Sequence, residues 1–255
     1  MLRKARKPLL GLLTAALLSG CAHSPVNDPD DPFEGVNRKV FAFNEGLDDY
    51  IARPVARKYV EVVPAKVRKG IDNFTDNITY PQTIINDALQ GKIVQHFSDI
   101  ARFVFNSIVG IGGFVDAAGM IGLEKHEEDF GQTLGYWGVG NGSYLMIPFL
   151  GPSTNRDFVG SAAGLFVDPT TYLPFDYAAP IGAMNILSNR ADLLDVDALL
   201  AQQLDRYIFV RNAYLQHRQN LVYDGAAPIE VDEFDEMDAE SESPKSSEAA
   251  SAPIP

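Results

Sequence analysis

The chain is 255 residues long, 46% hydrophobic and 10% aromatic, enough for one large domain or two small ones with a sizeable core. Its 34 Asp and Glu outnumber 21 Lys and Arg, and this formal net charge of -13 argues against nucleic acid as a partner, because neutralising phosphates needs basic side chains. One Cys and four His exclude an internal disulfide and a multi-cysteine metal or iron–sulfur centre, so neither a metal nor a cofactor is expected.

At the N-terminus Arg3, Lys4, Arg6 and Lys7 precede a short apolar run, Leu9 to Leu18. That run has the length of a signal-peptide core and is too short to span a bilayer. It leads into Leu18-Ser19-Gly20-Cys21, which resembles the bacterial lipobox, and the only cysteine of the chain stands at the cleavage point. The expectation is a signal peptide over residues 1–20 and an acylated Cys21 that anchors the chain to a membrane, each buried methylene contributing about 0.8 kcal/mol. Ala22 in the second mature position favours the outer membrane, by resemblance to lipoprotein sorting. Residues 21–31 read as a polar, Pro-rich tether.

From residue 32 to 223 the pattern is helical. Val36, Val40, Phe43, Leu47 and Tyr50 recur at intervals of three and four, as do Val67, Ile71, Phe74 and Ile78, and again Ile93, Phe97, Ile100, Val104 and Ile108. Pro54, Pro64 and Pro81 are expected to divide these stripes into separate helices. Phe41 and Phe43 read as core. Leu193 to Leu200 and Tyr207 to Leu215 predict two late helices. No alternating apolar and polar run predicts a strand, so the fold class is all-α with little or no sheet. Residues 224–255 are acidic and rich in Ser, Ala and Pro, the composition of a disordered tail.

Two segments stand out. Phe103 to Leu123 is long enough to cross a bilayer, but Asp116 costs about 2.5–3.5 kcal/mol at its centre and Gly110, Gly112 and Gly113 weaken a helix there. It reads either as a buried hairpin of a water-soluble domain or as a hairpin dipping into one leaflet. Phe130 to Pro152 interleaves Gly131, Gly135, Gly138, Gly140 and Gly142 with Tyr136, Trp137 and Tyr144. It matches no phosphate-binding glycine motif. It is either a packed aromatic loop or an interfacial, channel-lining one, in which case Asp116, Gly131, Gly135, Gly138, Gly140, Gly142 and Tyr144 are the candidate lipid-path residues. The basic stretch from Arg53 to Lys69 reads as a solvated face or as a contact for anionic head groups or acidic partner residues. His126-Glu127-Glu128-Asp129 lacks the two-histidine spacing of a zinc helix and reads as an exposed charged loop. Ser143 and Ser153 lack the nucleophile-elbow setting of a hydrolase, so no catalytic residue is named.

Several blocks together carry a likeness. Asp31-Pro32-Phe33-Glu34-Gly35-Val36-Asn37-Arg38, then Gly110 to Ala118 (GIGGFVDAA), then Phe130 to Gly140 (FGQTLGYWGVG), and finally Gly151 to Asp157 (GPSTNRD) resemble, in order, the motifs of the MlaA (VacJ) family of outer-membrane phospholipid-transport lipoproteins. The likeness covers roughly residues 31–220. It implies a ring of helices embedded in the inner leaflet of the outer membrane, around a hydrophilic channel. Misplaced phospholipids would pass through that channel to a periplasmic carrier, MlaC, for retrograde transport, and the ring would bind a trimeric porin. No enzymatic activity is implied. The competing expectation is a structural adapter lipoprotein that docks to porins without moving lipid.

Overall fold

The computed structural model describes residues 28–227. The signal peptide, Cys21, most of the tether and most of the acidic tail lie outside the described residues. Helix α1 (Glu34–Leu47) runs through one π-helical turn, Asp48–Ala52, straight into α2 (Arg53–Val62). After Pro64 comes the longest element, α3 (Ala65–Gln90), closed by Gly91 in the left-handed region, then α4 (Ile93–Ile108). A glycine turn leads to the single turn α5 (Ala117–Met120) and to α6 (Phe130–Tyr136). A small hairpin follows, β1 (Tyr144–Ile147) against β2 (Gly151–Thr154), antiparallel with Tyr144 opposite Thr154. The chain ends with α7 (Asn155–Gly164), α8 (Phe175–Asp192), the short α9 (Asp197–Ala201) and α10 (Arg206–Val222), two 3-10 turns intervening. The all-α expectation holds, with this one hairpin as its only sheet among the described residues.

Local chemistry explains the breaks. Asp116, Asp129, Thr154 and Asp205 each cap the helix that follows, accepting a hydrogen bond from a backbone amide three residues on. The prolines depart from expectation. Only Pro64 separates two helices. Pro54 sits in the first turn of α2, where a missing N–H costs little, and Pro81 lies inside α3 without ending it. A mid-helix proline costs about 3 kcal/mol, and the packing of α3 against α4, α6 and α8 outweighs it.

The helical periodicity is correct, but it marks the outside. Of the α4 stripe, Ile93, Phe97, Val104 and Ile108 are exposed, Phe97 by 64%, and neighbouring Val94 by 86%. Val36, Phe43, Tyr50, Val67 and Phe74 are exposed as well. The faces turned inward are polar: Thr75, Asn77, Thr83, Asn86, Asp87 and Gln90 on α3, and Asp99, Arg102 and Asn106 on α4. Phe43 is therefore not a core residue, while Phe41 packs edge-on against Tyr207 at 5.7 Å. The only cluster of buried apolar residues among those described, Tyr144, Met146 and Tyr207, joins β1 to α10. Such inversion is the reverse of a water-soluble helical domain, where the apolar stripe faces the core.

The segment Phe103 to Leu123 is not one helix. It breaks at Val109, and Asp116 reaches back to α4, pairing with Arg102 at 2.6 Å and accepting from Asn106. The turn between, including Ile111 at 76% exposure, projects an apolar tip. Among the described residues no helix is long and apolar enough to cross a membrane.

Candidate functional site

Buried polar groups need partners, and here they find them in connected networks. Asp157, at the start of α7, accepts from Arg156, Arg218 and Tyr214, and Arg218 also grips Asp129 through both terminal nitrogens at 2.6 and 2.9 Å. Burial acts to raise the Asp129 and Asp157 pKa values, but the Arg218 guanidinium wins and holds both carboxyls below the usual range. A second network joins Glu128 to Gln90 and Lys92, each at 2.7 Å. His126 meets Asp99 at 3.0 Å, and Asp99 accepts from the Tyr80 hydroxyl at 2.7 Å. The segment from His126 to Asp129 is therefore only in part an exposed charged loop: Glu127 faces out, whereas Glu128 is buried and Asp129 is the cap of α6. The basic stretch divides as well. Arg53 pairs with Asp48, Asp49 and Asp197, and Arg68 caps the end of α2 by donating to the Val60 and Val63 carbonyls.

Polar cavities lie among these described residues. One of about 80 Å³ is walled by Lys69, Asn77, Arg102, Asp116 and Lys125. A second, about 310 Å³, lies between Thr79, Thr83, Glu128, Gln132 and Arg218. A third, the largest of these, about 510 Å³, opens between the end of α6 with the glycine loop after it and one face of α10. Its lining includes Gly135, Gly138, Gly140 and Gly142 together with Asn212, Gln216 and Gln219, which recur at helical spacing. Arg156 lines it as well.

The seven candidate residues are thus distributed. Four glycines share the largest cavity. Gly131 lies back from it, where α6 meets the Asp157–Arg218 pair. Asp116 belongs to the smallest cavity, next to the apolar tip. Tyr144 is fully buried in the aromatic cluster with Tyr207 and Tyr214. Composition and spacing did not single out Arg156 or the amide face of α10; intervals of four and three between Asn212, Gln216 and Gln219 are the signal that points to that face.

The sequence profile of the MlaA lipoprotein matches residues 29–221, nearly all of the described chain. This chain belongs to the MlaA family. The intermembrane phospholipid transport system lipoprotein MlaA of Escherichia coli (strain K12) is 41% identical over 228 residues, 87% of this chain and 90% of that protein. MlaA of the same name from Haemophilus influenzae Rd is 31% identical over 235 residues, covering 87% and 92%. A solved structure described as the structural basis for maintenance of bacterial outer membrane lipid asymmetry superposes with a TM-score of 0.70 at 40% identity, over 75% of this chain and 98% of that one. The MlaA motifs fall at the structural joints: the glycine turn at the apolar tip, the loop lining the largest cavity, and the start of α7 that carries Arg156 and Asp157.

Proposed function

We propose that this chain is an outer-membrane lipoprotein that takes mislocalised phospholipids out of the outer leaflet through a polar passage and delivers them to a periplasmic carrier, so preserving lipid asymmetry. Acylation at Cys21 would hold it on the periplasm-facing leaflet, with its apolar perimeter seated in the acyl chains. A trimeric porin and the carrier MlaC are the partners proposed by family membership. The inverted distribution of side chains supports this most directly: apolar outside, polar and hollow within.

Physical chemistry makes the arrangement useful. Moving a charged head group through hydrocarbon carries a desolvation penalty of many kcal/mol. A passage walled by amides, hydroxyls and paired ions replaces the lost water, while the tails stay among apolar side chains. Irregular backbone at membrane depth is tolerated where it lines such a wet cavity, which is where the glycine loop sits. No bond is made or broken in the lipid, so no catalytic group is required.

The adapter reading makes a different forecast. Gly138 and Gly142 have positive φ, so a side chain there strains the loop whatever the function. Gly140 has neither positive φ nor any atom within 4 Å of an added Cβ. Gly140→Trp should fill the passage with the fold and protein abundance unchanged. In a deletion strain complemented with it, outer-leaflet phospholipid should stay elevated. Full complementation would favour the adapter.

A further inference from the structure

In the largest cavity the one basic side chain is Arg156, which is 7% exposed. Its Nε and Nη2 both donate to Asp157, at 3.2 and 3.1 Å, which leaves Nη1 without a hydrogen-bond partner in the described residues. That nitrogen lies against Gly135, where a Cβ would come within 2.9 Å of it. A guanidinium nitrogen with no protein acceptor, on the wall of a cavity, is free to take one from a ligand, and Arg suits phosphate oxygens. We infer that this cavity is a phosphodiester site, in which Arg156 Nη1 takes a phosphate oxygen of a diacyl phospholipid and the amides of Gln216 and Gln219 supply further donors. The inference rests on the transport reading and adds the chemistry by which the passage recognises its cargo.

Three observations select a lipid over free phosphate. The cavity, about 510 Å³, is far larger than one phosphate needs. Val139, Leu215 and Val222 give it apolar wall as well. Arg156 is partly neutralised by Asp157, which suits a monoanionic diester more than a dianion. A paired arginine also holds its ligand loosely enough to let it go. The one acid on the lining, Asp30, is exposed, so no buried carboxylate selects an ammonium. The site should therefore require the phosphate and ignore the rest of the head group.

The test uses full-length protein in detergent, with binding of dihexanoyl-phosphatidylethanolamine, dihexanoyl-phosphatidylglycerol, dihexanoylglycerol and inorganic phosphate followed by calorimetry. Both phospholipids should bind within threefold of each other, and dihexanoylglycerol and phosphate at least tenfold more weakly. Arg156→Gln should weaken both phospholipids at least fivefold, with partial rescue by Arg156→Lys. Because Arg156 also touches Asp157, Gln216→Glu provides the independent arm. It places an acid on the lining of the same cavity without replacing either member of that pair, and should cause a similar loss with an unchanged melting temperature. Equal binding of dihexanoylglycerol, or a Gln216→Glu protein that binds like the parent, overturns the phosphodiester site. Phosphate binding as tightly as lipid overturns the lipid assignment. Outer-leaflet phospholipid in cells lacking the gene reports separately on transport: if it does not rise there, the transport reading fails, whatever the calorimetry shows.

Discussion

Asp87 shows what a single side chain reveals about this interior. It is fully buried on α3, and neither carboxylate oxygen has a hydrogen-bond donor in the described residues. Burial, with the neighbouring Asp99 and Glu128 carboxyls, pushes its pKa up to about 8, against the attraction of Lys92. An unfolded chain loses this proton near pH 4, whereas the folded one keeps it until about 8. Folding therefore retains a proton across that window, and the Asp87 contribution to stability falls as the pH rises through it. We expect Asp87→Asn to melt above the parent at pH 8, with the gap closing towards pH 4, as followed by circular dichroism. A gap independent of pH would show that Asp87 is ionised in the fold. Two other residues are informative at this scale. Ile111 and Phe149 both adopt positive φ, an unfavourable conformation for bulky side chains, and both sit exposed on turns. Phe149 is held there by its N–H donating to Asn44 Oδ1 at 2.9 Å and by an edge-on contact with Phe43 at 5.2 Å.

Among the elements, the approach of α6 to α7 sets the position of the glycine loop. A Cβ on Gly160 would lie 2.3 Å from the Gly131 nitrogen, so the two helix backbones meet with no side chain between them. Gly131 in turn leaves room for Asp157 and Arg218, whose side-chain atoms lie 2.5 and 2.7 Å from where its own Cβ would stand. The glycines of the FGQTLGYWGVG block thus serve two purposes: the first admits an ion network and a neighbouring helix, and Gly135, Gly138 and Gly140 line a cavity. Gly160→Ala must push a helix aside and should cost about 1–3 kcal/mol in chemical denaturation. Gly140→Ala, which meets nothing, should stay within about 0.5 kcal/mol of the parent. The hairpin β1–β2 went unforeseen because its strands are only four residues long and β2 carries Pro152. Helix α8 was not anticipated either, since Pro180 and scattered apolar residues leave it without a clear stripe.

For the whole molecule the decisive quantity is which solvent its perimeter meets. Each fully exposed Val, Leu, Ile or Phe forgoes about 1.5–3 kcal/mol of transfer free energy in water, and this structure exposes many of them around polar centres. The perimeter should therefore bind bilayers without the acyl anchor. We expect Cys21→Ala protein to co-float with phosphatidylethanolamine–phosphatidylglycerol vesicles. Adding Val94→Glu and Phe97→Glu, on adjacent turns of the outward face of α4, should lower that co-flotation at least tenfold without loss of helix content. If the doubly charged protein floats equally well, the α4 face lies away from lipid.

The amino-acid sequence alone determined the helical class, the interruption of residues 103–123 and the family. Those are properties of short segments: spacing, glycine content and ordered motifs. The direction each stripe faces was decided by the tertiary structure. Periodicity reports that one side of a helix is apolar, and that side can turn to a protein core or to lipid with the same pattern. Nor does spacing disclose that Arg156 comes to line one cavity with Gln216 and Gln219, more than fifty residues away in the chain, or that Glu128 turns inward. Those placements depend on which partners neutralise each buried charge, and the partners are supplied by other helices.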